Sequence, residues 1–196
     1  MKPALLIVDM QQALCQGEAQ PFDCKGVIGR INELARAARA AQVPVIWAQH
    51  ENAARLRSGT PGWEIAKGLE VDPADLRVSK ATPDAFNGTG LEALLKERAV
   101  DTLIICGIHT EFCIDTTCRR ALALGWPVLL AQDAHTSAGN AVLAPEQVIA
   151  HHNATLTAIA SYGPRVQTWP TEALLHALNL ETAVDHFQSS RNPHEH

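Results

Sequence analysis

The sequence predicts an α/β protein, a three-layer doubly wound sandwich on a mainly parallel sheet of about six strands. Three observations carry that prediction. Short apolar runs alternate with helical periodicity along all 196 residues, the order that builds strand–helix–strand units. The first run, Ala4 to Val8, is apolar without interruption, as befits a strand covered on both faces. No internal repeat, low-complexity block or linker divides the chain, and its length suits one domain. Residues 1–185 are expected to form that domain, with 186–196 a polar, flexible tail.

Each element has its own justification. Val27 to Ala41 carries Ile28, Ile31, Leu34, Ala35 and Ala38, the stripe of an amphipathic helix. Val43 to Ala48 is the second strand, entered late because Pro44 cannot donate to a ladder. Leu76 to Ser79 gives a short third strand, Gly90 to Glu97 a helix, and Thr102 to Cys106 a fourth strand. Gly107 to Phe112 reads as a tight turn. The helix after it buries Ile114, Thr117, Cys118, Ala121 and Leu122 and stops at Gly125, a glycine placed where helices end. Val128 to Ala131 is the fifth strand, leading to Asp133. Pro145 to Ala160 is a helix with proline in its first turn, Arg165 to Thr168 a sixth strand, and Thr171 to Leu178 the last helix. The irregular stretch from His50 to Glu70 contains Gly59-Thr-Pro-Gly62 and has Trp47 and Trp63 in its neighbourhood. A loop of that length in a compact domain is usually functional or disordered.

Composition narrows the function. The net charge is −5 with no cluster of Lys or Arg, which argues against nucleic acid or an anionic membrane as partner. Five cysteines, none in a C-x-x-C pair, argue against a thioredoxin-type motif and a zinc ribbon. The apolar N-terminal stretch is cut short by Asp9 with no cleavage site after it, and no run approaches membrane-spanning length. A cytoplasmic protein is expected.

Ligands of open parallel sheets bind at the carboxyl ends of the strands. The polar residues there are Asp9 after the first strand, Lys80 after the third, Cys113 beyond the fourth, and Asp133 and His135 after the fifth. Cys113 falls at the first turn of a helix, among N–H groups without intrahelical partners. Such a position favours the nucleophilic thiolate and can hold an oxyanion. Asp9 abuts five apolar residues, so burial would raise its pKa unless it is paired, and it suits proton transfer to and from a thiol. Lys80 can fix that carboxylate and favour the thiolate. Singly, each has a plain alternative: a buried small hydrophobe, a turn former, a solvated lysine. Together they fit nucleophilic catalysis at a carbonyl.

Four ordered motifs then resemble a known family. Leu-Ile-Val-Asp9-Met-Gln, Gly59-Thr-Pro-Gly-Trp-Glu-Ile, Lys80-Ala-Thr-Pro-Asp-Ala-Phe-Asn-Gly-Thr and Cys-Gly107-Ile-His-Thr-Glu-Phe-Cys113, followed by Asp133-Ala-His-Thr-Ser, are similar to the isochorismatase-like cysteine hydrolases. That family includes nicotinamidases, N-carbamoyl amidases and other small-amide hydrolases. The resemblance spans Leu5 to about Ala160. It implies a catalytic triad of Asp9, Lys80 and Cys113, and a cis peptide at Ile108–His109. It also implies an oxyanion hole from the backbone N–H groups of His109 and Cys113, and a dimer or tetramer. Where nicotinamidases carry an Asp-x-His pair and a further His for a metal, this chain reads Trp47-Ala-Gln-His50-Glu-Asn-Ala. No cofactor and no metal are therefore expected. Thr110 to Arg120 and His151 to Leu156 are similar to streptothricin-hydrolase-like members, which open a cyclic amide.

The resulting expectation is a metal-independent cysteine hydrolase that cleaves the C–N bond of a small amide, carbamoyl or cyclic amide substrate through a thioester, with water. Trp47, His50, Phe86, Glu111, Phe112 and His135 are the candidate pocket residues. Three alternatives stay open: a metal-assisted nicotinamidase, a catalytically silent binding protein on the same fold, and a redox sensor with Cys106 or Cys118 as the resolving thiol.

Overall fold

In the computed structural model, which describes residues 1–16 and 20–189, six strands form one wholly parallel sheet. They are β1 (Pro3–Val8), β2 (Val45–His50), β3 (Leu76–Lys80), β4 (Thr102–Ile108), β5 (Val128–Thr136) and β6 (Val166–Trp169). The order across the sheet is β3-β2-β1-β4-β5-β6. The helices are α1 (Gln12–Cys15), α2 (Cys24–Ala40), α3 (Leu91–Glu97), α4 (Asp115–Ala123), α5 (Pro145–Ala158) and α6 (Thr171–Ser189).

Alternation along β1 explains its unbroken apolar sequence. Leu5 and Ile7 face one layer, with Ile31 and Leu34 of α2 and Leu174 of α6. Ala4, Leu6 and Val8 face the other, with Leu91 and Leu95 of α3, Leu122 of α4 and Leu156 of α5. Successive strand residues point to opposite faces, so a strand sandwiched by helices is apolar at every position. Each large side chain so buried contributes about 1.5–3 kcal/mol.

The chain winds outward from β1 through β2 to β3, then returns to place β4 on the other side of β1. That reversal opens a crevice at the carboxyl ends of β1 and β4, where this sheet class binds ligands. Gly107 lets the two strands close there. Its φ is +120°, and a Cβ at this position would collide with the Val8 carbonyl oxygen.

The structure departs from the sequence expectation at several ends. β4 and β5 run on to Ile108 and Thr136 because the ladder shifts register between Ile105 and Gly107 and then resumes as Gly107 opposite His135. Asp133 and His135 therefore lie within β5. A five-residue π-helical turn, Thr110–Ile114, precedes α4, and short α1 follows β1; neither shows in the apolar pattern. α6 continues to Ser189, through the first residues of the segment expected as a tail. The rest of that segment, 190–196, lies outside the described residues. Among the described residues no helix is long and apolar enough to cross a membrane.

Candidate active site

Neighbouring strand ends assemble one polar centre. Asp9 follows β1 in a left-handed conformation, φ +54°, which Asp tolerates better than most residues and which marks constrained sites. Register aligns His50, the last residue of β2, directly with Lys80, the last of β3. Beyond β4 the Ile108–His109 peptide is cis. The His109 carbonyl then accepts the N–H of Phe112 at 3.1 Å and of Ile114 at 3.2 Å, winding the π-turn that carries Cys113.

The ammonium of Lys80 stands at the middle. Its Nζ lies 2.7 Å from Asp9 Oδ2, 3.1 Å from the Thr82 carbonyl, 3.2 Å from His50 Nδ1 and 3.3 Å from Cys113 Sγ. Asp9 and Lys80 are only 1% and 2% exposed. Asp9 Oδ1, the second carboxylate oxygen, is buried and has no hydrogen-bond partner among the described residues. A base with one oxygen tied to a cation and the other free is set to take a proton.

The expected preference of Cys113 for the thiolate meets an opposing effect. Burial pushes its thiol up to about 12, the charge of Asp9 adds to that, and Lys80 opposes it. Removal from water thus favours the thiol, against the pull of the helix end. Attack by Cys113 thus calls for a base that removes the proton as the new bond forms.

Three expected pocket residues are buried with partners of their own. Trp47 is 1% exposed and lies on the α2 side of β2, where its indole N–H donates to Asp75 Oδ2 at 2.8 Å. Phe86 is buried and stacks on Trp126 at 5.7 Å in the opposite layer. His135 is buried with both ring nitrogens engaged, Nδ1 with Thr110 Oγ1 at 2.8 Å and Nε2 with Asn153 Oδ1 at 2.9 Å. Asn153 spends its amide N–H on the Gln132 carbonyl. Nε2 of His135 therefore donates and Nδ1 accepts from Thr110, bracing the start of the π-turn.

The other three stay near the crevice. His50 is half-buried, Phe112 is exposed, and Glu111 accepts a hydrogen bond from Ser137 at 2.9 Å while its Oε2 is buried without a partner among the described residues. A cavity of about 560 Å³ opens beside Lys80, lined by Glu51, Asn52, Arg57, Ser79 and Gly88. Sequence reasoning passed over Gln11, which is fully buried. Its side-chain amide donates to the carbonyls of His50 and Trp63 and accepts the His50 N–H, locking the end of β2. Its place two residues beyond Asp9 was the available signal. Cys106 and Cys118, the candidate resolving thiols, are wholly buried, and burial drives both thiols far up. That does not suit redox exchange.

Donor atoms of Asp9, His50 and Cys113 lie within 4.8 Å of one another, a set that can hold a divalent metal. The Lys80 ammonium already bonds to all three residues, so a metal ion there has to displace it.

The chain matches known proteins over most of its length. An isochorismatase domain model covers residues 3–169. A streptothricin hydrolase of Streptomyces noursei is 38% identical over 136 residues, which are 68% of this chain and 49% of the relative. A ureidoacrylate amidohydrolase of Methylobacterium radiotolerans is 29% identical over 196 residues, 81% of this chain and 73% of the relative. The chain spans about half the length of the streptothricin hydrolases it matches. A crystal structure of an isochorismatase family protein superposes with a TM-score of 0.79 at 32% identity, covering 86% of this chain and 98% of that one.

Proposed function

The chain belongs to the isochorismatase family, and on that premise we propose that it is a metal-independent cysteine hydrolase of small amides, carbamoyl compounds or cyclic amides. The observation that carries the reading is Lys80 within hydrogen-bond reach of both Asp9 and Cys113, with the second oxygen of Asp9 unpartnered among the described residues.

Asp9 Oδ1 takes the Sγ proton as the sulfur attacks the carbonyl carbon. Lys80 holds Asp9 in place and stabilises negative charge as it builds on sulfur. The backbone N–H groups of His109 and Cys113 receive the oxyanion, an interaction whose loss typically costs about 10²–10³ in rate. Collapse breaks the C–N bond, and the departing nitrogen takes the proton held by Asp9. A thioester on Cys113 remains. Asp9 then deprotonates a water that attacks the thioester, releasing the acid and restoring the thiol. His50, Glu111 and Phe112 line the substrate side. Both kinds of relative, streptothricin hydrolase and ureidoacrylate amidohydrolase, bear names that fit amide-like substrates.

The proposal includes a homo-oligomer, dimer or tetramer, in the cytoplasm. Sedimentation velocity tests the assembly. The reaction is tested by supplying amides, carbamoyl compounds and lactams and following products by ammonia release and mass. Wild-type protein is expected to turn over at least one of them, equally with and without EDTA. Loss of activity with EDTA points instead to the metal-assisted alternative.

A further inference from the structure

Lys80 has more hydrogen-bond acceptors than protons to give. An ammonium carries three N–H donors and accepts nothing. Among the described residues four acceptors surround Lys80 Nζ: Asp9 Oδ2, the Thr82 carbonyl, His50 Nδ1 and Cys113 Sγ. The two oxygens stand closest, at 2.7 and 3.1 Å, and hold two of the protons. His50 and Cys113 are left to share the third, at 3.2 and 3.3 Å.

We propose that His50 is a positioning residue that competes with Cys113 for the third Lys80 proton. In the resting protein it draws that proton away from sulfur, and it yields the proton as negative charge develops on the sulfur. A thiol sulfur is a weak acceptor and a neutral imidazole nitrogen a good one. A thiolate reverses that order, because hydrogen bonds to an ionised acceptor are roughly twice as strong. The device keeps Cys113 protonated until a carbonyl is present to attack.

Three features support it. Ladder register puts His50 and Lys80 side by side, and the buried Gln11 amide fixes the His50 backbone from both sides. The nitrogen facing an ammonium must be the one without hydrogen. Burial and the Lys80 charge both lower the pKa of His50 and disfavour its imidazolium.

The inference rests on the reading of Cys113 as nucleophile for its catalytic meaning, but its test reads the thiol directly. Wild type, His50→Leu and His50→Gln are alkylated with iodoacetamide at pH 8, and modification of the Cys113 peptide is followed by mass. Leu fills the space without accepting, so sulfur gains the third proton and Cys113 is expected to react roughly three- to ten-fold faster. Gln keeps an acceptor and is expected to react near the wild-type rate. A simple desolvation effect has the opposite sign, since a more apolar neighbour slows thiol ionisation. The proposal is overturned if His50→Leu reacts no faster than wild type, or if His50→Gln reacts as fast as His50→Leu. If His50→Leu does not fold, His50→Phe replaces it with the same expectation. Absence of amide turnover in wild type would remove the catalytic reading while leaving this comparison intact.

Discussion

Asp9 and Lys80, 71 residues apart in sequence, meet at 2.7 Å with both side chains withdrawn from solvent. One follows the central strand β1 and the other ends the edge strand β3, so the pair ties the sheet together across β2. Removing one partner strands a buried charge, a loss on the order of 3–5 kcal/mol. Lys80→Met is accordingly expected to destabilise the protein by that order in urea or guanidinium unfolding. Adding Asp9→Asn removes the orphaned charge and is expected to recover much of the loss. Simple additivity of the two substitutions would contradict this coupling.

Cys113 is expected to react slowly with iodoacetamide at pH 7, and its rate should climb about tenfold per pH unit between 7 and 9. This follows from a thiol pushed up to about 12 by burial first and the Asp9 charge second. Asp9→Asn should speed the reaction and Lys80→Met should slow it. Peptide mass analysis is needed to separate Cys113 from Cys24, a half-buried free cysteine. A rate already flat by pH 6 would mean that the resting residue is a thiolate.

Acid should weaken the fold through His135. Burial pushes its imidazole down to about 4, against about 6.5 in an unfolded chain. Above pH 6.5 both states are neutral and stability does not depend on this group. As pH falls from 6.5 towards 4 the unfolded chain takes up the proton first, so stability drops, by an amount on the order of 3 kcal/mol. Burial also lowers His50 and His109, which adds loss in the same direction. Unfolding midpoints at pH 7, 5.5 and 4.5 check this. His135→Gln should be less stable at pH 7 and show a flatter acid slope.

Gly107→Ala is expected to cost at least about 2 kcal/mol, from a positive φ and from overpacking against β1. The collision is with the Val8 carbonyl, next to the residue that carries the proposed base. Thermal unfolding measures the loss. A variant as stable as wild type would mean that β1 and β4 can separate without harm.

The fold and the three central residues were legible for the same reason. Asp9 and Lys80 each follow an apolar or alternating run, and Cys113 lies one turn beyond such a run. Parallel sheets gather those ends at one edge. The facing of side chains was less legible. Trp47 falls on the α2 side by strand alternation. His135 is buried because a register shift between Ile105 and Gly107 draws it into β5, and no local pattern announces a bulge. Phe86 is covered by Trp126, forty residues later, on which it stacks. The upward pull on the Cys113 thiol was not legible, because a helix terminus is visible in sequence whereas the depth of burial beside a carboxylate is a tertiary property.

The most direct test of the central claim follows Cys113 itself during turnover. An amide hydrolysed by the wild type would be mixed with wild-type protein and with Cys113→Ala, each with and without EDTA, then acid-quenched and analysed by mass. The account predicts an acyl adduct on the Cys113 peptide of the wild type, turnover indifferent to EDTA, and neither adduct nor turnover in Cys113→Ala. Hydrolysis that persists in Cys113→Ala would contradict it.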